Sequence, residues 1–166
     1  MGLNDFFRLS VAVGVSEMAG VIGSIFTAPA VRSAWYAELV RPALNPPAWV
    51  FGPVWITLYA LMGIALFLVW KQHPNILEYV GVLWVRRVGV VLFFAQLVLN
   101  ALWSVVFFGL QSPVGAFTVI VFLWLAILAT IIVFARVSRL AAWLLAPYLL
   151  WVSFAAYLNY SFWVLN

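Results

Sequence analysis

Apolar residues run through the chain in five long blocks, separated by short breaks of charge, proline or small polar residues. The blocks cover about residues 9–27, 47–70, 85–110, 114–135 and 141–164, and each is close to the roughly 20 residues a helix needs to cross a hydrocarbon layer. The pattern predicts an all-α integral membrane protein, with residues 1–166 as one domain of five spans. Between the first two blocks, Val31 to Val40 mixes Arg32, Trp35, Tyr36 and Glu38 among apolar residues, which reads as a short amphipathic helix at the interface in the first long loop.

Polar and small residues within the spans fall at helical spacing. Ser16, Gly20, Ser24 and Thr27 recur along the first span, where small side chains let a neighbouring helix approach closely. Glu17 lies mid-span, where an ionisable group is costly; it is either a functional group or the partner of a structural hydrogen bond. On the third span Gln96, Asn100, Trp103, Ser104 and Phe107 share one helical face. On the fifth, Pro147, Trp151, Ala155 and Asn159 recur every four residues, with Tyr148 beside them. The fourth span carries Thr118 and Trp124 and the weakest functional signal.

The breaks are informative as well. Pro42, Pro46, Pro47 and Pro53 lack amide donors and bias their predecessors toward extended geometry, so Arg41 to Pro47 is expected to be an ordered, non-helical connector, with Asn45 as the cap of the next helix. Trp49, Trp55 and Tyr59 follow on that helix, and aromatic surface gathers beneath a stiff loop. Later breaks are the polar connector through His73, Pro74 and Asn75, the turn at Gln111, Ser112 and Pro113, and the turn bracketed by Arg136 and Arg139.

Composition agrees: 68% of residues are hydrophobic, 7% are charged and mean hydropathy is +1.18, outside the range of a soluble domain. The net charge of +4 is dispersed along the chain, so no basic patch points to nucleic acid. Arg8, Lys71, Arg86, Arg87, Arg136 and Arg139 fall on the amino-terminal side of the membrane and only Arg32 and Arg41 on the other. That bias puts the amino terminus in the cytoplasm and the carboxyl terminus outside, in the cytoplasmic membrane of a prokaryote; in an organelle the labels change accordingly. Arg8, the apolar run and Ala28-Pro29-Ala30 imitate a signal peptide, but the run is long and contains Glu17, so it reads as an uncleaved span. The chain has no cysteine and one histidine, His73, outside every span, so neither thiolate chemistry nor an intramembrane metal or haem ligand set is expected. No internal repeat is visible, which argues against a solenoid and an inverted-repeat transporter.

Ordered motifs now accumulate over nearly the whole chain: Gly20-Val21-Ile22-Gly23-Ser24, Trp35-Tyr36, Arg41-Pro42, Pro46-Pro47, Phe51-Gly52-Pro53-Val54-Trp55 and Leu58-Tyr59; then Gln96-Leu97, Leu99-Asn100-Ala101-Leu102-Trp103-Ser104 and Phe107-Phe108; then Pro147-Tyr148, Trp151, Phe154-Ala155 and Leu158-Asn159. In this the chain resembles the translocator protein family, also called tryptophan-rich sensory proteins or peripheral benzodiazepine receptors. The resemblance implies a bundle of five transmembrane helices, usually a homodimer, with a cavity beneath the first long loop that binds porphyrins and synthetic isoquinoline and benzodiazepine ligands. By motif it implies a ligand-binding set of Trp35, Tyr36, Trp55, Asn100, Trp103, Trp151 and Ala155. Two departures stand out. Leu158 and Tyr160 are followed by no Lys or Arg, which argues against the sterol motif of some animal members, and Arg41 stands where a lysine is common.

A porphyrin is a broad aromatic plane with carboxylates at one edge. Trp55, Trp103 and Trp151 can wall a cavity for it, Asn100 can hydrogen-bond, and Arg32 or Arg41 can meet carboxylates at the mouth. Trp49, Trp70, Trp84 and Trp163, near span ends, read instead as interfacial anchors. The leading expectation is a sensor or carrier of a tetrapyrrole or similar apolar ligand, with no obligatory cofactor and no bound metal. The alternatives are light-dependent porphyrin degradation, with Trp35, Tyr36 and Trp151 as electron donors, and transport of small apolar molecules along a path begun by Glu17, Gln96 and Asn100. No nucleophile–base pair supports conventional catalysis.

Overall fold

The computed structural model describes residues 2–72 and 79–166, so the expected connector through His73, Pro74 and Asn75 lies outside the described residues. Six α-helices follow one another: α1 (Leu3–Ala30), α2 (Ala34–Glu38), α3 (Ala48–Lys71), α4 (Tyr79–Ser104), α5 (Pro113–Ala135) and α6 (Arg139–Leu165). Among the described residues there is no strand. All but α2 include a stretch long and apolar enough to cross a membrane. The chain is an all-α, multi-pass membrane protein, with the bilayer as its environment.

Local chemistry sets the helix ends. Pro29 lies in the last turn of α1, and the chain leaves the helix through Arg32 N–H to Pro29 C=O and Ser33 N–H to Ala30 C=O bonds. Ser33 then caps α2, its Oγ accepting from the Tyr36 amide. Ser112 and Ser138 cap α5 and α6 in the same way, accepting from Gly115 and Ala141. The cap expected at Asn45 is not made. Helix α3 starts three residues past it, at Ala48, with Pro47 at the cap position and no side-chain cap, because each residue before a proline is pushed out of helical geometry and Asn45 and Pro46 both precede one. Asn45 instead closes a turn, its amide donating to Pro42 C=O.

The five long helices close into a ring in the order α1, α3, α6, α5, α4, and α4 returns to α1. Small residues bring α1 close to its neighbours. Gly63 of α3 lies against the backbone of Val13, Gly20 against the Tyr59 ring, and Gly23 against Ser104 of α4. At one end of the ring Lys71 pairs with Asp5 at 3.0 Å and Arg8 lies over the Trp70 ring. At the other end α4 widens into a π-helical turn, Val105–Gly109, on which α2 packs through Trp35 against Phe107 and Tyr36 against Phe108.

The expected polar stripes are partly displaced. On α1 the buried small positions are Ala12, Ser16, Ala19, Gly23 and Ala30, while Ser24 is exposed. On α6 Pro147 is exposed, Trp151 and Ala155 are half-buried and Asn159 is buried. A step of four residues overshoots a 3.6-residue turn, so a row of such steps winds from one face of a straight helix toward the next.

Candidate functional site

The polar centre of the bundle is built from three helices. Asn100, on α4, accepts a hydrogen bond at its Oδ1 from the Tyr59 hydroxyl of α3 and donates from Nδ2 to the Tyr148 hydroxyl of α6 at 3.0 Å. All three residues are buried. Trp55, one turn before Tyr59, stacks on the Tyr59 ring at 5.4 Å between centroids and meets Tyr148 edge-on at 6.2 Å. The result is an indole face laid over a tyrosine–asparagine–tyrosine chain, with every polar group of the chain paired across helices. Such a network inside a membrane protein orients its members, because breaking any link strands a polar group in apolar surroundings.

A second aromatic group lies toward the connector. Trp103 stacks on Phe107 at 5.3 Å, Phe107 meets Trp35 at 6.1 Å and Phe162 at 5.7 Å, and Trp35 neighbours Tyr36 at 6.3 Å. The Trp103 indole N–H donates to Asn159 Oδ1 at 2.8 Å, and Asn159 Nδ2 donates to Pro113 C=O at 2.7 Å. Trp103 therefore offers a ligand its ring but not its donor. Arg41, exposed, lies over the Tyr36 ring at 5.6 Å, while Arg32 is exposed nearby in sequence. Trp151 packs on Phe51 of α3 at 5.9 Å and on Phe154, and Ala155 sits half-buried one turn on.

The seven residues expected to line the site thus fall into three neighbourhoods: Trp55 with Asn100, Trp103 with Trp35 and Tyr36, and Trp151 with Ala155. Trp49, Trp84, Trp70 and Trp163 are exposed on the outside of the helices. Glu17 is half-buried and makes no hydrogen bond or ion pair among the described residues. Sequence reasoning missed the roles of Tyr59, Tyr148 and Asn159 as partners of Asn100 and Trp103. Two signals were available: Tyr59 follows Trp55 by one turn, and Tyr148 precedes Ala155 by seven residues on the same face. One further feature is Gln96, 1% exposed, whose amide nitrogen and oxygen both lack a partner among the described residues, one turn from Asn100. Among the described residues no three His, Cys, Asp or Glu side chains gather as a metal site would require.

The model of the TspO/MBR family matches residues 12–164. The chain belongs to the TspO/MBR family. That match spans both aromatic groups and the polar chain joining α3, α4 and α6. The chain is similar to the tryptophan-rich protein TspO of Chlorobaculum tepidum, 46% identical over 98% of this chain and 98% of that one. It is similar to the tryptophan-rich protein TspO of Archaeoglobus fulgidus, 41% identical over 98% of this chain and 99% of that one. The human translocator protein is 41% identical over 78% of this chain and 73% of its own. Among TspO/MBR relatives another carries the name tryptophan-rich sensory protein, from Cereibacter sphaeroides.

Proposed function

We propose that this TspO/MBR protein binds a porphyrin or a similarly flat, apolar ligand among the aromatic residues between the ring and the Trp35 to Pro47 connector, and acts as a sensor or carrier of it. The observation that carries this reading is the Trp55 indole laid over the buried Tyr59–Asn100–Tyr148 chain. A rigid aromatic face with a fixed polar group behind it suits a planar ligand that has an apolar surface and a few heteroatoms. Trp35, Tyr36, Trp103, Trp151 and Ala155 extend the apolar surface on either side. Arg41, exposed and held over Tyr36, is placed to meet a ligand carboxylate. The names translocator and sensory protein carried by relatives agree with a role in moving or reporting a small molecule.

On this reading the protein lies in a prokaryotic cytoplasmic membrane with the Arg8, Lys71 and Arg136 end inside, and works as a homodimer. Ser161 to Asn166 hold no Lys or Arg, which speaks against a sterol as the ligand. The test is titration of the purified protein in detergent with a porphyrin, followed by tryptophan quenching in darkness and by absorbance under light. Saturable quenching with one site per chain supports the proposal. A failure to saturate overturns it, and a light-dependent product not formed by free porphyrin makes the protein an enzyme.

A further inference from the structure

A groove of about 500 Å³ opens on the outer face of the ring between α5 and α6, and none of the residues of the aromatic groups above lines it. Its floor includes Ala142, buried, and Ala146, half-buried, and its edges are Ala135, Trp143 and Leu150, all exposed. Arg139 lines it at the end of the ring that also carries Arg8 and Lys71. Among the described residues the one ion pair is Lys71 with Asp5, and Arg139 has no carboxylate partner.

We infer that this groove is a binding site for an anionic phospholipid, with the phosphate on Arg139 and one acyl chain laid along the alanine floor. Two observations converge. The lining is apolar except for a single cation at one end, the distribution of an anionic amphiphile in reverse. From Arg139 to Leu150 a helix rises about 17 Å, which is close to half of a hydrocarbon core of about 30 Å, so the groove reaches from headgroup depth to the middle of the bilayer. A second copy of this chain is the weaker occupant. A twofold axis along the bilayer normal would set Arg139 of each copy at the same depth, cation facing cation. This inference does not rest on porphyrin binding, because it shares no residue with the proposed site.

The test uses the whole chain in detergent, with native mass spectrometry counting retained phosphatidylglycerol against phosphatidylcholine of the same acyl chains. The parent is expected to retain phosphatidylglycerol at least about tenfold better. Arg139→Gln, a change at an exposed position, is expected to abolish that preference, whereas Arg87→Gln, at an exposed site on α4 at the same end, leaves it intact. Ala146→Phe, which fills the groove, should lower retention of both lipids. Equal retention of the two lipids by the parent overturns the site. So does equal loss in Arg87→Gln, which would reduce the effect to a general basic surface. Since the chain has no cysteine, Ala146→Cys gives a clean check on the other occupant, and rapid disulfide dimers in a bilayer would assign the groove to a second copy.

Discussion

Asn166 pairs with the backbone of Val40 in both directions: its Oδ1 accepts from the Val40 amide at 2.8 Å and its Nδ2 donates to the Val40 carbonyl at 3.2 Å. The same Nδ2 also donates to Phe162 C=O at 2.9 Å. One side chain thereby fastens the connector that follows α2 to the end of α6. Proline stiffens the connector from within, and Asn166 anchors it from outside.

Asn166→Ala should therefore loosen the connector without unfolding the ring. Hydrogen exchange is expected to quicken at Leu39 to Arg41 and stay unchanged in α3 to α5. Exchange that is identical to the parent at Val40 would show that the prolines alone hold the loop.

Gly63 and Gly81 make a paired prediction. A Cβ on Gly63 would run into the Val13 backbone, whereas one on Gly81 meets nothing within 4 Å among the described residues. Gly63→Ala must push α1 from α3 and should cost about 1–3 kcal/mol. Gly81→Ala should be neutral or stabilising by up to about 1 kcal/mol through helix propensity. Thermal unfolding in one detergent compares them directly, and equal midpoints would refute the close approach of α1 and α3.

Asn100 supplies the third. Asn100→Leu strands the hydroxyls of Tyr59 and Tyr148 in the core, at about 1–3 kcal/mol for each unpaired group. Adding Tyr59→Phe and Tyr148→Phe removes the stranded groups, so the triple variant should recover much of the loss. If the triple variant is less stable than Asn100→Leu by the sum of the two tyrosine changes, the three residues do not act as one network.

The spans were legible because twenty-residue apolar blocks leave a backbone little choice but helix in a membrane. The Asn45 cap was misjudged because two prolines overrule one good capping residue. The site was legible as a set of residue types but not as a set of pairs. Asn100 on an inward stripe announces a hydrogen bond, yet which hydroxyls meet it depends on how α3 and α6 are rotated in the ring. Gly20 against the Tyr59 ring and Gly63 against the Val13 backbone fix α3 on α1, and a spacing of four cannot reveal such contacts between helices. Trp103 illustrates the same point: its ring was expected to face a ligand, and its N–H is spent on Asn159.

Orientation follows from charge. Arg8, Lys71, Arg86, Arg87, Arg136 and Arg139 gather at the end where Lys71 meets Asp5, against Arg32 and Arg41 at the connector end. The positive-inside bias expects Asn166 outside the cytoplasm. A periplasm-dependent reporter fused after Asn166 should be active and a cytoplasm-dependent one silent. The opposite pair of readings would invert the topology and move the connector to the cytoplasmic face.

The last prediction separates binding from chemistry. Trp55 contributes a half-buried ring stacked on Tyr59 and meeting Tyr148, so Trp55→Ala should lower porphyrin affinity by roughly tenfold or more, the equivalent of about 1.4 kcal/mol for one lost aromatic contact. Trp55→Phe should retain most of that affinity, which distinguishes loss of a ring from loss of the fold. Trp151→Phe asks a different question. Its neighbours Phe51 and Phe154 keep the wall apolar, so dark affinity should stay near that of the parent, while the indole that would donate an electron to the photoexcited porphyrin is gone. A binding protein shows under light only the bleaching that free porphyrin shows, in the parent and in Trp151→Phe alike. A distinct product in the parent that vanishes in Trp151→Phe would overturn the sensor-or-carrier reading and place Trp151 in the reaction.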